Sequence, residues 1–407
     1  MKKSPGNYII LASILSVLIF STYGISRVLG NISAQPAAVY FTESVTTEDL
    51  HNQFNRAKVG LTADPIRILV IPGHEPDYGG TEYKLLKERD LNVDLATQLH
   101  ELLDKDEAFE SVLARDKTDW YEPLADFLDN EQEGIAEFVA QQKNITAELV
   151  EAGELEFPDK VKHGDAPQRV ALLLYGINQW ASEENFDIIL NIHLNDTGGR
   201  KISKNWPSGF VIYVPDPQFS NARASYDIAE YIVDRMSLFY SVSNLSQEED
   251  GVVINEKLIA LGANNTLDPA SLLIEYGYIY ERKFQEKSVR EKLITDFAHQ
   301  TYLGISDFFG SRDVEKSEEY TTLTVESNSL NLPLKKSKDR NSEVLILQAM
   351  LLQAGFFPHD GTLEDCPLDG VYGNCTSQAV TSLQESMQLK ADGIVGEETH
   401  RVLEELI

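Results

Sequence analysis

Two histidines and a glutamate, His74, His193 and Glu275, each follow a short apolar run, and together they form a donor set suited to a catalytic divalent metal. Imidazole and carboxylate groups bind zinc, and a catalytic site uses three protein donors, leaving the fourth position to water. His74 follows residues 66–71 and the breaker Pro72-Gly73, His193 follows 187–192, and Glu275 follows 271–274. Singly, each histidine reads as an ordinary hydrogen-bonded side chain. Glu275 is more telling, because a carboxylate rarely ends a buried run without a partner. Glu88, inside Lys87-Glu88-Arg89-Asp90, reads by itself as a solvated residue of a first helical turn, favoured there by the helix dipole.

The runs before these residues are short, apolar and bounded by turn residues, the pattern of buried strands. Residues 209–214 add another. Between them, Leu91, Leu95, Leu99 and Leu102 mark a helix from residue 88, and Val170, Leu173, Leu174 and Ile177 mark a second. Ala224, Ile228 and Ile232 mark a third, which Ser220 would cap, and an amphipathic helix spans 287–309. The alternation predicts an α/β domain over 61–310, a mostly parallel sheet flanked by helices. In such a sheet the C-terminal strand ends share one edge, where ligands bind, so His74, His193 and Glu275 should meet there. The acidic, partly helical stretch 121–165 interrupts the rhythm as an insertion.

Asp plus Glu is 65 against 35 Lys plus Arg, and the net charge of −30 argues against nucleic acid as a partner. Lys2 and Lys3 precede an uncharged stretch, residues 8–25, that as a helix spans about 27 Å, near a bilayer core. Residues 1–30 are therefore expected to form an N-terminal membrane helix with the remainder outside the cytoplasm. A signal peptide cleaved after Ile32-Ser33-Ala34 is the alternative. Residues 31–60 read as a polar stalk and 311–341 as a linker, with a stray strand at 320–325. Cys366 and Cys375 are too few for a cysteine zinc module, and either close a small loop or stay as thiols. In 342–407, Asp369-Gly370-Val371-Tyr372-Gly373 recurs as Asp392-Gly393-Ile394-Val395-Gly396, each a glycine-requiring turn that opens a helix. Apolar stripes through Leu347, Met350 and Leu351 and through Val380, Leu383 and Met387 make this a small three-helix C-terminal domain.

Jointly, these motifs resemble the zinc-dependent N-acetylmuramoyl-L-alanine amidases of the amidase-3 type over about residues 66–309. Ile71-Pro72-Gly73-His74 is similar to the family's Asp-Pro-Gly-His, which implies His74 as a zinc ligand. Leu86-Lys87-Glu88-Arg89-Asp90-Leu91-Asn92 resembles Leu-Lys-Glu-Lys-x-x-Asn and implies Glu88 as the second ligand, and Ile192-His193-Leu194-Asn195 implies His193 as the third. Leu272-Leu273-Ile274-Glu275 before Gly277-Tyr278 is similar to Leu-x-Glu-x-Gly-Phe, which implies Glu275 as the catalytic acid/base. Leu113-Ala114-Arg115 resembles the family's Leu-Thr-Arg. The implied reaction is zinc-dependent hydrolysis of the amide between N-acetylmuramic acid and L-alanine in peptidoglycan, releasing stem peptides. Ile71 in place of aspartate, and Glu75-Pro76 in place of paired glycines, depart from the pattern. Some relatives carry an insertion that covers the site until a partner removes it, so the resemblance also brings in an activator protein and a lid role for 121–165 with His163. Residues 342–407 resemble the three-helix peptidoglycan-binding domain. The rival readings are a membrane-anchored, catalytically inactive wall-binding scaffold and a zinc carboxypeptidase acting on the stem peptide.

Overall fold

Nearly every side chain of the segment 66–72 is buried, which a strand achieves only when both faces of its sheet are covered. The computed structural model describes residues 45–58, 64–156, 167–197, 206–310, 321–324 and 330–407. In chain order its elements begin with α1 (Thr47–Lys58), β1 (Ile66–Pro72), β2 (Glu82–Tyr83), β3 (Leu86–Lys87), α2 (Glu88–Leu103), β4 (Phe109–Leu113), α3 (Glu122–Asn130) and α4 (Gln132–Ala152). They continue with α5 (Gln168–Glu183), β5 (Ile188–Asn195), β6 (Val211–Pro215), α6 (Ala222–Ser237), β7 (Val252–Asn255), β8 (Ala270–Tyr278), α7 (Arg282–Gln285) and α8 (Lys287–Phe308). Three further helices close the chain: α9 (Ser342–Gln353), α10 (Asn374–Ser386) and α11 (Glu397–Glu404).

Six strands form one sheet in the order β4-β1-β5-β8-β6-β7. It is parallel except where β6 runs against β8. Side chains alternate between faces. Ile68, Val70, Ile188 and Leu190 meet α2, α6 and α8, while Leu69, Ile71 and Ile189 meet α5 and α3. This is the expected α/β layering.

Several elements differ from the sequence reading. The expected stalk holds α1, whose Leu50 and Phe54 are buried in the main core, with Phe54 stacked on Phe309 at 4.6 Å. Two apolar residues one turn apart make too narrow a stripe to stand out among polar neighbours. The edge strands β4 and β7 escape the pattern because Glu110 and Ser111 interrupt the first and the second has only three apolar residues, Val252 to Ile254. Ser220 does not cap α6: Asn221 holds that position, and the Ser220 hydroxyl bonds Asn265 instead. Residues 322–324 form a turn of 3-10 helix rather than a strand. That turn is pinned by the buried carboxylate of Asp296, which accepts bonds from the Thr321 hydroxyl and the Thr322 N–H (both 2.7 Å) and from the Tyr240 hydroxyl (2.6 Å).

Helices α3 and α4 of the insertion pack on α5, where Gly176 admits Leu128 and Ile135; a Cβ there would stand 2.7 Å from Leu128. His163 lies outside the described residues, as do the expected membrane helix and the 32–34 cleavage site. Among the described residues, no helix is long and apolar enough to cross a membrane.

The C-terminal region is helical as expected, and its repeat has a physical basis. The Gln348 side-chain oxygen accepts from the N–H of Asp369 and Gly370, and Gln384 does the same for Gly393. Each glutamine thus clamps one Asp-Gly turn to the preceding helix. Cys366 and Cys375 form a disulfide. The apolar core runs unbroken from the sheet domain into these helices.

Candidate active site

The site is built at the carboxyl edge of β1, β5 and β8. After Pro72 the chain turns sharply, and His74 takes φ 70°, a left-handed conformation that is costly for a residue with a side chain. Two glycines make the turn possible. A Cβ on Gly73 would stand 2.2 Å from the His193 ring, and one on Gly80 would stand 2.8 Å from the His74 ring.

His193 lies inside β5 and Glu275 inside β8, since both strands run past the residues expected to end them. Glu88 opens α2 directly after the β2–β3 hairpin, and it is buried rather than solvated. Its Oε2 accepts the Thr81 N–H at 2.8 Å, which fixes the carboxylate. Its Oε1 stands 2.8 Å from His74 Nε2 and 3.1 Å from His193 Nδ1. The three donor atoms lie within 4.8 Å of one another.

That donor set fits a divalent metal. Tetrahedral zinc with bonds of 2.0–2.1 Å spaces its ligands about 3.3 Å apart, close to the two distances here. Burial raises the Glu88 carboxyl, but the hydrogen bonds to His193 and His74 and the charge of both rings outweigh it and hold the group well below its ordinary value. Burial also lowers His193 from its ordinary 6.5, against the raising effect of its hydrogen bond to Glu88.

Glu275 stands level with His193 across β5 and with Val211 across β6. Burial, then the charges of Glu88 and Glu248, raise its carboxyl well above the ordinary range. Its Oε2 is sealed from solvent and has no hydrogen-bond partner among the described residues. The four residues singled out in the sequence therefore meet on one rim.

Sequence reasoning missed Glu248. It is buried and accepts hydroxyl hydrogen bonds from Tyr213 at 2.7 Å, from Tyr278 at 2.8 Å and from Ser243. Its setting in Gln247-Glu248-Glu249-Asp250 looks like a solvated acidic run, so no local signal marks it.

Arg115, noted only through a motif, has a clear position. It is 1% exposed and donates to the carbonyl oxygens of Pro72 (3.0 Å), Gly73 (2.6 Å), Arg89 (3.1 Å) and Asp116 (2.9 Å). Burial pushes its pKa down to about 10. One buried cation thus ties the His74 turn to the first turn of the Glu88 helix. Arg115→Met is expected to leave those carbonyls unmatched and to weaken metal binding about 10–100-fold, the range for outer-shell contacts. Competition with a chelating dye measures this, and unchanged affinity would show that the turn holds itself.

The two departures from the family pattern have local explanations. Ile71 packs with Leu69, Ala114 and Trp180 in an apolar cluster. Glu75 is buried and takes both ends of the Arg169 guanidinium, each at 2.7 Å, joining the His74 turn to α5.

Residues 68–307 match the family model described as N-acetylmuramoyl-L-alanine amidase, and residues 340–403 match a peptidoglycan binding domain. The first match takes in more than half of the chain, which belongs to the N-acetylmuramoyl-L-alanine amidase family and carries a C-terminal peptidoglycan-binding domain. A Bacillus licheniformis protein described as "Probable N-acetylmuramoyl-L-alanine amidase" is 37% identical over 99 residues, 24% of this chain. That match spans only 26% of the relative's own length. Similar solved structures include the CwlD amidase from Clostridioides difficile in complex with the GerS lipoprotein, at 18% identity and TM-score 0.38, covering 60% of this chain and 99% of that one. Another is an N-acetylmuramyl-L-alanine amidase from Mycobacterium smegmatis, at 14% identity and TM-score 0.40, covering 61% of this chain and 100% of that one.

Proposed function

We propose that the protein hydrolyses the amide joining the lactyl group of N-acetylmuramic acid to L-alanine in peptidoglycan, with zinc as its metal, and so releases stem peptides during wall remodelling. The observation that carries this reading is the convergence of His74, Glu88 and His193 on one point with Glu275 on the same rim. The family match supports the reaction class, and the C-terminal domain match supports peptidoglycan as the polymer engaged.

His74, Glu88 and His193 would hold the zinc ion, which when bound acidifies a water and polarises the substrate carbonyl. Glu275 does the proton work. Its carboxylate accepts a proton from the attacking water and passes it to the departing L-alanine nitrogen, so one carboxyl serves as base and then as acid. Thr81 and Arg115 keep the donors in place through the bonds described above. The C-terminal domain raises the local concentration of wall by tethering. We further propose that residues 1–30 hold the enzyme at the outer face of the cell membrane.

Incubation of the zinc-loaded protein with purified wall tests the reading. Intact peptides beginning with L-alanine are expected, and a chelator should stop their release. Shortened stem peptides still attached to glycan would mark a carboxypeptidase instead, and tight binding without any product would mark a scaffold.

A further inference from the structure

A cavity of about 390 Å³ lies between the sheet domain and the entry to the C-terminal domain. Lys84, Arg282, Lys338 and Arg340 line it, against two carboxylates, Glu286 and Asp339. The pocket is therefore net positive in a chain whose net charge is −30. Arg340 is held by Asp369 at 2.7 Å. Arg282 and Lys338 are exposed, and neither forms an ion pair among the described residues. Such cations commonly pair with one of the many acidic side chains; here they face open space.

The place of the pocket gives it meaning. Lys84 sits at the tip of the β2–β3 hairpin that leads directly into Glu88. Arg282 stands at the start of α7, on the chain leaving β8 and Glu275. Tyr83 and Tyr280, with ring centroids 6.4 Å apart, join these two segments. One wall thus belongs to the rim of the candidate active site, and the opposite wall, Lys338–Arg340, is the end of the linker where it enters the domain matched to peptidoglycan binding, whose match begins at residue 340.

We propose that this pocket is an anion subsite that binds an acidic group of the wall polymer while a neighbouring amide lies in the active site. The inference rests on the peptidoglycan reading above. Two sources supply the anion: carboxylates of an uncleaved stem peptide, or phosphates of a polymer attached to the wall. The chain as a whole repels both, so a net positive pocket favours the positions along the polymer where an acidic group can reach it.

The test uses the full-length protein, as wild type and as the Arg282→Gln, Lys338→Gln double variant. Both substitutions are on exposed side chains that the fold does not need. Co-sedimentation with purified wall in the presence of chelator measures binding without digestion. The variant is expected to bind roughly tenfold more weakly at low salt, as for the loss of two exposed ion pairs, with a flatter salt dependence. A difference that vanishes on wall with amidated carboxyls assigns the stem peptide, and one that vanishes on wall stripped of phosphate by hydrofluoric acid assigns the attached polymer. A variant equal to wild type on untreated wall, or a difference surviving both treatments combined, overturns the proposal. Hydrolysis of a small soluble muropeptide should be the same in both proteins. Its absence in the wild type would defeat the amidase reading while leaving the binding result intact.

Discussion

Glu275→Gln is expected to lower the rate of stem-peptide release by about 10²–10⁴-fold, the usual span for general acid–base catalysis, while zinc occupancy stays unchanged. Glutamine keeps the shape of the side chain but cannot accept the proton. The carboxyl also receives no hydrogen bond at Oε2, so the amide takes its place without orphaning a protein donor. The substitution removes a group that burial and the charges of Glu88 and Glu248 disfavour in its ionised form, so folding should not suffer. Parallel measurements of product release by mass spectrometry and of bound zinc separate the roles. Full activity in the variant would eliminate Glu275 as the proton carrier, and lost zinc would recast it as a ligand.

The part of the site that could be read from sequence is the part carried by chain punctuation. His74 and His193 are marked by the runs that precede them, because buried strands in a parallel sheet deliver their ends to one edge. Gly73 shows why the punctuation is strict: the His193 ring occupies the space a Cβ would need. Glu88 was not legible locally. Its neighbours Lys87, Arg89 and Asp90 look like solvent-facing residues, and its burial comes from the hairpin folding Thr81 over it and from two rings delivered by distant strands. Motif resemblance supplied what periodicity lacked.

The same distinction explains the fold. The central strands announce themselves by continuous apolar runs, whereas β4 and β7 lie at the edges, the first interrupted by Glu110 and Ser111 and the second with only three apolar residues. Helix α1 needs only Leu50 and Phe54 to dock, because Phe109 and Phe309 provide the complementary surface from elsewhere in the chain. Glu248 and Asp296 are buried carboxylates satisfied by hydroxyls remote in sequence, and no spacing rule reports such partners.

Removal of Glu88 should be the most damaging change to metal binding. Its Oε1 faces both histidines, so Glu88→Ala takes away one donor and the negative charge that offsets the cation's own. The variant also leaves the Thr81 N–H without its acceptor, loosening the hairpin. Affinity should fall by more than the roughly hundredfold limit for outer-shell contacts, and the thermal upshift on adding zinc should disappear. Retention of that upshift would exclude Glu88 as a ligand. Acidity gives an independent readout on the metal-free protein. His193 titrates below its unfolded value of 6.5 and Glu88 below its unfolded value of 4.5, so the unfolded chain binds the extra protons in both cases. The stability these two groups contribute is therefore fully present above pH 6.5, declines as His193 is protonated, and declines again below pH 4.5 as the Glu88 carboxylate is neutralised, while the raised Glu275 carboxyl contributes with the opposite sign. Denaturant melts across this range should show the lower decline shrinking in Glu88→Ala, whereas an unchanged acid limb would show that the buried carboxylate contributes nothing to it.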